Sequence, residues 1–226
     1  MRVRAPLCAA AVLVAAAPAH ASDHDEQLWT SLLTTVAAGD RVDVSVEIAP
    51  RVTDGPSRLG QFLLRPSVTL KLPRDFTATI GYVYARTQFR GTVPNDEHRA
   101  WYQLGYVLHS EPGGVRLSGR TRIEQRYREG AGDDVAWRLR QQVRFQSPLR
   151  PGGRVSAIVF NETFVGLNDT RWGVRTGFDQ VRTFVGVGVP LSKQVSLETG
   201  YLNQAIFRIG PDRVNHIAAV NLIARL

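Results

Sequence analysis

Arg116, Ser118, Arg120, Arg122, Glu124, Arg126 and Arg128 occupy every second position of one stretch, and Ala136, Arg138, Arg140, Gln142, Arg144 and Gln146 repeat the pattern shortly after. Guanidinium groups in such a ladder are permanently charged, planar donor forks, suited to carboxylate, phosphate and other oxyanions. The intervening positions carry Val115, Leu117, Thr121, Ile123 and Tyr127, then Val135, Trp137, Leu139, Val143 and Phe145. A period of two sends successive side chains to opposite faces of a β-strand, so each stretch reads as a strand with one cationic and one apolar face. Five arginines on one strand are too many for a dry core. The pattern therefore predicts arginines on a watery lumen and apolar residues on lipid.

The same alternation extends over most of the chain. Candidate strands are Gln27–Val36, Arg41–Val52, Leu59–Leu72, Phe76–Thr87, Arg99–His109, Val115–Arg128, Val135–Gln146, Arg154–Val165, Phe178–Val189, Val195–Phe207 and Val214–Leu226. Most run longer than ordinary soluble strands, as a tilted membrane crossing requires. Short turns at 38–40, 73–75, 112–114, 150–153 and 191–194 alternate with more polar loops at 53–58, 88–98, 129–134, 167–177 and 208–213, the connection pattern of an outer-membrane barrel. Tyr82, Tyr84, Tyr102, Tyr106, Tyr127, Trp137, Phe145 and Tyr201 fall on the apolar faces, where interfacial aromatic girdles sit. The expected fold class is all-β, an antiparallel transmembrane β-barrel of about 10–12 strands. Eleven candidates conflict with the even count usual in bacterial barrels. Either Gln27–Val36 lies in the lumen or against the wall, or a twelfth strand lies within Leu167–Gly177.

Composition narrows the setting. Met1-Arg2-Val3-Arg4, an apolar run to Ala17 and Ala19-His20-Ala21 follow the order of a secretory signal, predicting cleavage after Ala21 and two segments: signal peptide 1–21 and barrel 22–226. Cys8 is the one cysteine and leaves with the signal, so no disulfide or thiolate metal site is expected in the exported chain. No stretch is long and apolar enough for a helical span. The net charge is +8; without Arg2 and Arg4, 26 basic residues face 20 acidic ones and the charge is +6. Only Lys71 and Lys193 are lysines, and no nucleic-acid fold signature accompanies the basicity, so no nucleic-acid partner is expected. The expected location is the outer membrane of a Gram-negative bacterium, with outer-membrane lipid, the barrel-assembly machinery and small anionic solutes as partners.

Catalytic chemistry has little to stand on. A hydrolase at the lipid face needs a nucleophile and a base within hydrogen-bond reach. After the signal the histidines are His24, His98, His109 and His216; His109 and Ser110 are adjacent and would point to opposite faces. His216, on the apolar face of the last strand, is the best catalytic candidate. The histidines lack metal-ligand spacing, Asp23-His24-Asp25-Glu26 reads as a mobile terminus, and Gly186-Val187-Gly188 lies inside a strand, where small residues facing a crowded lumen explain it better than a nucleotide loop. Neither enzyme activity nor a cofactor or metal is expected.

Several ordered motifs stand together: Gln27-Leu28-Trp29, Val46-Glu47-Ile48-Ala49-Pro50-Arg51, Glu97-His98-Arg99-Ala100-Trp101, Arg120 through Arg126, Asn161-Glu162, Gly177 through Arg182, and Gly200-Tyr201-Leu202-Asn203-Gln204 followed by Asn215-His216. Over essentially the whole exported chain this resembles a proteobacterial family of outer-membrane β-barrels classed as a domain of unknown function. The resemblance implies the barrel and carries over no substrate or catalytic residue. Leu226 ends the last strand where such barrels commonly place an aromatic.

Two readings of the lumen follow. In one, Glu47, Arg65, Arg99, Arg120, Arg122, Glu124, Arg126, Arg138, Arg140, Arg144 and Arg182 line a narrow anion-preferring pore. In the other, arginine–carboxylate pairs fill the barrel and leave a plugged structural or binding scaffold. Glu124 is expected to neutralise only one of the arginines on its own and the next strand. A soluble secreted barrel binding lipid inside would invert the two faces.

Overall fold

A computed structural model describes residues 23–226; the predicted signal segment lies outside the described residues. Eleven strands follow in order: β1 Asp23–Ala37, β2 Val42–Thr53, β3 Arg58–Lys71, β4 Thr77–Thr87, β5 Asn95–Ser110, β6 Arg116–Arg128, β7 Ala136–Pro148, β8 Ser156–Gly166, β9 Gly177–Pro190, β10 Val195–Ile206 and β11 Arg213–Arg225. Each strand pairs antiparallel with its sequence neighbour, and β1 closes the barrel on β11.

The closing seam corrects the expectation of an even count. An odd number of up-and-down strands leaves the first and last running the same way, so closure has to be parallel. β1 and β11 pair in parallel without a register break from Asp23↔Arg213 to Thr35↔Arg225. Gln27–Val36 is therefore wall, not a lumen segment, and residues 167–176 form a loop and not a twelfth strand. Asp23–Glu26 is not a mobile terminus either. The Asp23 amide donates to the Asp212 carbonyl at 2.9 Å, and Asp25 accepts from Gln27 at 2.6 Å and from Arg213 at 2.7 Å. These bonds continue the strand four residues beyond its apolar alternation.

The two faces of the wall differ as the alternation requires. Val44, Val46, Ile48, Val68, Leu70, Ile80, Tyr102, Leu104, Val143, Phe145, Val185 and Tyr201 are exposed on the outside. The polar side chains on that face pair with one another, as Asn161 does with Thr183 at 3.0 Å and Gln141 with the Tyr106 hydroxyl at 2.7 Å, which limits the cost of leaving them in an apolar setting. Inside, two apolar clusters pack against the wall: Ala49, Leu63, Val83, Ala85 and Trp101 on one side, Ile158, Phe184, Leu202, Ile217 and Ala219 on the other. Charged side chains fill the space between them.

Glycine lets the wall and its contents approach closely. Gly186 and Gly200 face each other across β9 and β10, and the Phe184 ring, stacked on Phe160 at 5.0 Å, folds over them. A Cβ at Gly200 would lie 2.3 Å from the Val185 carbonyl oxygen and 2.5 Å from the Gly186 Cα, atoms of the backbone that cannot swing away. Gly200→Val should destabilise the folded barrel by about 1–3 kcal/mol through overpacking. Ala218→Val, on the exposed face of the neighbouring strand, should cost less than about 0.5 kcal/mol. Urea midpoints of the compact band on unheated gels compare the two directly.

Candidate functional site

The arginines of β6 and β7 project inward, where each must find a counter-charge or stay hydrated. Glu124, with no exposed surface, accepts from Arg138 at 2.6 and 3.0 Å and from Arg140 at 2.6 Å, and Arg122 lies 3.7 Å away. Glu162 of β8 accepts from Arg120 at 3.0 Å and from Arg140 at 2.8 and 3.1 Å. Glu97 of β5 accepts from Nε and Nη2 of Arg126, at 2.6 and 3.1 Å, and from Arg99 at 2.7 Å. Arg138 also reaches Asp179 at 3.3 Å, while Arg65 pairs with Glu47 at 2.8 Å and Arg144 with Glu198 at 2.5 Å.

This corrects the expected charge balance of the ladder. Glu124 serves more than one arginine, and carboxylates from β5, β8, β9 and β10 supply the rest. Glu162 is masked in the sequence because its inward neighbours on β8, Ile158, Phe160 and Phe164, are apolar, so polarity does not mark the lumen face there. Glu97, Glu198 and Asp179 give a signal only once strand neighbours are known. All the arginines expected in the lumen are there, but most are engaged.

Two arginines stand apart. Arg51 donates to Gln61 at 2.6 Å and its guanidinium lies 3.6 Å from the centre of the Trp29 ring. Arg182 lies 5.1 Å from Trp29 and 4.6 Å from Phe164, and its Nε is buried without a hydrogen-bond partner. Neither forms an ion pair among the described residues.

The lumen is divided into chambers. At the end bearing the longer loops, one of about 680 Å³ is bounded by Glu97, Arg99, Arg126 and the 172–176 segment, and a second of about 450 Å³ runs from Arg58, Phe89 and Arg208 at the rim down to Trp29. Below them lies a central chamber of about 250 Å³ bounded by Arg65, Arg120, Arg144 and Glu162. Trp29, Arg51 and Arg182 line both the second and the central chamber and form the partition between them.

Loop 167–176 is held over the mouth by its neighbour. Arg171 donates to both carboxylate oxygens of Asp134 at 2.9 and 3.0 Å, its backbone amide donates at 2.8 Å, and the Trp172 indole donates to the Asp134 carbonyl at 3.1 Å. The Arg171 donors hold the Asp134 carboxyl below its ordinary value. A depressed carboxyl contributes this pairing above its unfolded value and loses it as pH falls through the folded one.

His216 stacks on His24 and hydrogen-bonds Tyr201 at 2.6 Å on the outer face, with no serine or threonine hydroxyl among its partners. Tyr82, His98 and Glu129 form a similar outward chain. Among the described residues, no three His, Cys, Asp or Glu side chains are grouped to hold a metal.

Glu124→Gln strips Arg138 and Arg140 of a buried partner and should cost about 3–5 kcal/mol in urea unfolding, whereas Glu111→Gln at an exposed pair should change little. Acidification below the ordinary aspartate value of 3.8 should free loop 167–176, and Asp134→Asn should free it already at neutral pH. Emission of Trp172, read with Trp29, Trp101 and Trp137 replaced by Phe, reports both; unchanged emission at low pH would contradict the clasp.

No solved structure matches the chain. It is similar to an uncharacterized protein of Methylorubrum extorquens, 39% identical over 203 residues that cover 89% of this chain and 88% of the relative. A family described as "Protein of unknown function (DUF2490)" matches residues 26–215, nearly the whole barrel from β1 to the start of β11. The chain belongs to that family.

Proposed function

We propose that the protein is an outer-membrane barrel of a Gram-negative bacterium whose lumen is closed midway by ion pairs, making it an anion-binding barrel and not an open channel. The observation that carries this reading is the layer formed by Glu97, Glu124 and Glu162 with Arg99, Arg120, Arg126, Arg138 and Arg140 on the adjacent strands β5 to β8, carried on into the lumen by Arg138 with Asp179 of β9, Arg144 with Glu198 of β10 and Arg182 against Trp29 of β1. Arg126, Arg138 and Arg140, each locked by two or more charge-assisted bonds, do not swing aside as a mobile pore lining would. The excess of guanidinium over carboxylate gives the remaining aqueous space a positive potential that draws anions from the loop end.

The membrane part of the proposal is supported by the breadth of the apolar outer wall, far larger than the patches soluble monomers leave exposed. Lipid is the partner of that wall, export follows the signal read at residues 1–21, and the assembly machinery inserts the barrel. Small anionic solutes are the partners of the lumen, and no step of catalysis is assigned to it.

Fractionation should find the chain in detergent-extracted outer membranes, with heat-modifiable migration; recovery in the periplasmic supernatant would refute the placement. Val143→Arg on the exposed outer face should cost about 2–4 kcal/mol near the bilayer midplane, while Gln142→Lys, facing the lumen beside Glu162, should be tolerated. Planar-bilayer recording should show no steady open-channel current from the wild type. A stable multi-ion conductance, or cation selectivity of any current, would overturn the occluded anion-binding reading.

A further inference from the structure

The partition between the loop-end chamber and the central chamber is built from Trp29, Arg51 and Arg182. Trp29 is fixed by the bond its indole donates to Gln27 at 2.7 Å, so it serves as a rigid platform. Arg51, its direct cross-strand neighbour, lies against the ring, and Arg182 reaches the same ring from β9. The other lumen arginines lie within 2.5–3.7 Å of a carboxylate, yet Arg51 and Arg182 form no ion pair, and the buried Arg182 Nε has no hydrogen-bond partner. Contact with an aromatic face offsets part of the cost of such a charge and supplies no acceptor oxygen, so apart from the bond Arg51 donates to Gln61 the two guanidinium groups lack one. Two like charges on one platform also repel.

We infer that Arg51 and Arg182 form the binding site of a small, doubly charged oxyanion, phosphate or a water-soluble phosphate monoester, which enters from the loop-end chamber. This deepens the anion-binding reading above and rests on it. Two guanidinium groups without carboxylates call for a ligand with two negative charges and several acceptor oxygens, which a monocarboxylate lacks. Access follows from the second chamber, which runs from the rim arginines Arg58 and Arg208 to the partition. The rim cations are steering groups; Arg58 is held by Asp54, so the unmatched charge lies deeper. Bound at the partition, the anion replaces the missing carboxylates and ties β2 to β9 across the lumen.

The test uses the folded full-length barrel in a neutral detergent at low ionic strength, with inorganic phosphate, glycerol 3-phosphate and acetate as probes in calorimetric titrations. Wild type should bind phosphate or glycerol 3-phosphate saturably, at least tenfold more tightly than acetate. Arg51→Gln with Arg182→Gln should lower that affinity at least tenfold, while Arg144→Gln, whose partner is Glu198 in the central chamber, should stay within about twofold. A second measurement guards against misfolding. The double variant loses two guanidinium groups that form no ion pair and repel each other, so in phosphate-free buffer it should unfold at a urea concentration no lower than wild type, and only wild type should gain stability on adding phosphate. Phosphate binding equal in wild type and the double variant, or no phosphate binding by a folded wild type, would overturn the site. Failure of the occluded reading is separable: a barrel that conducts yet loses phosphate binding in the double variant keeps the site and discards the closure.

Discussion

Charge compensation inside a narrow wall governs this molecule. A barrel of this size leaves little room for bulk water, so every inward guanidinium either meets a carboxylate, lies on an aromatic ring or raises the energy of the fold. Glu124 and Glu162, contributed by different strands and almost wholly buried, each bind more than one arginine and thereby fix the mutual positions of β6, β7 and β8. Removing one partner of such a pair harms more than the pair itself stabilises, because the other charge is left stranded. The network therefore specifies the arrangement of the wall more than it adds to overall stability.

Against that background the apolar clusters and the glycines have a spatial role. Trp101 fits under Gly81 and carries Arg122 on its face at 3.8 Å, so a side chain of the wall and a charge of the lumen share one stack. Phe164 does the same for Arg138, Arg140 and Arg182. Aromatic rings thus fill the gaps between carboxylates, and where a ring stands in for a carboxylate the charge remains unspent.

Much of the wall was legible in the sequence and the contents were legible only in part. On β2, β3, β6 and β7 the inward residues are mostly polar and the outward ones mostly apolar, so alternation assigns both faces despite Ala49 and Leu63 inside and Gln125 and Gln141 outside. On β8 the inward residues Ile158, Phe160 and Phe164 are as apolar as the outward Val159 and Val165, and Glu162 is lost among them. The start of β1 was hidden for another reason: Asp23-His24-Asp25-Glu26 has the composition of a solvated tail, and only the bonds from Asp212 and Arg213 at the far end of the chain make it a strand. Pairings between distant strands, such as Arg144 with Glu198, have no local trace at all.

The parallel seam has a consequence for how the barrel is built. Ten of the eleven interfaces join sequence neighbours across a single connection, but the eleventh has no hairpin behind it. It joins β1 to β11, nearly the whole chain away, as the register of Asp23 with Arg213 shows. Closing so long a loop is entropically slow, and it follows the local pairings. Until it forms, β1 and β11 are two open edges of the same polarity, unable to satisfy each other by the antiparallel pairing used everywhere else in the sheet. Closure of this barrel is therefore a distinct late event in its folding, separable in time from the zippering of the other ten interfaces.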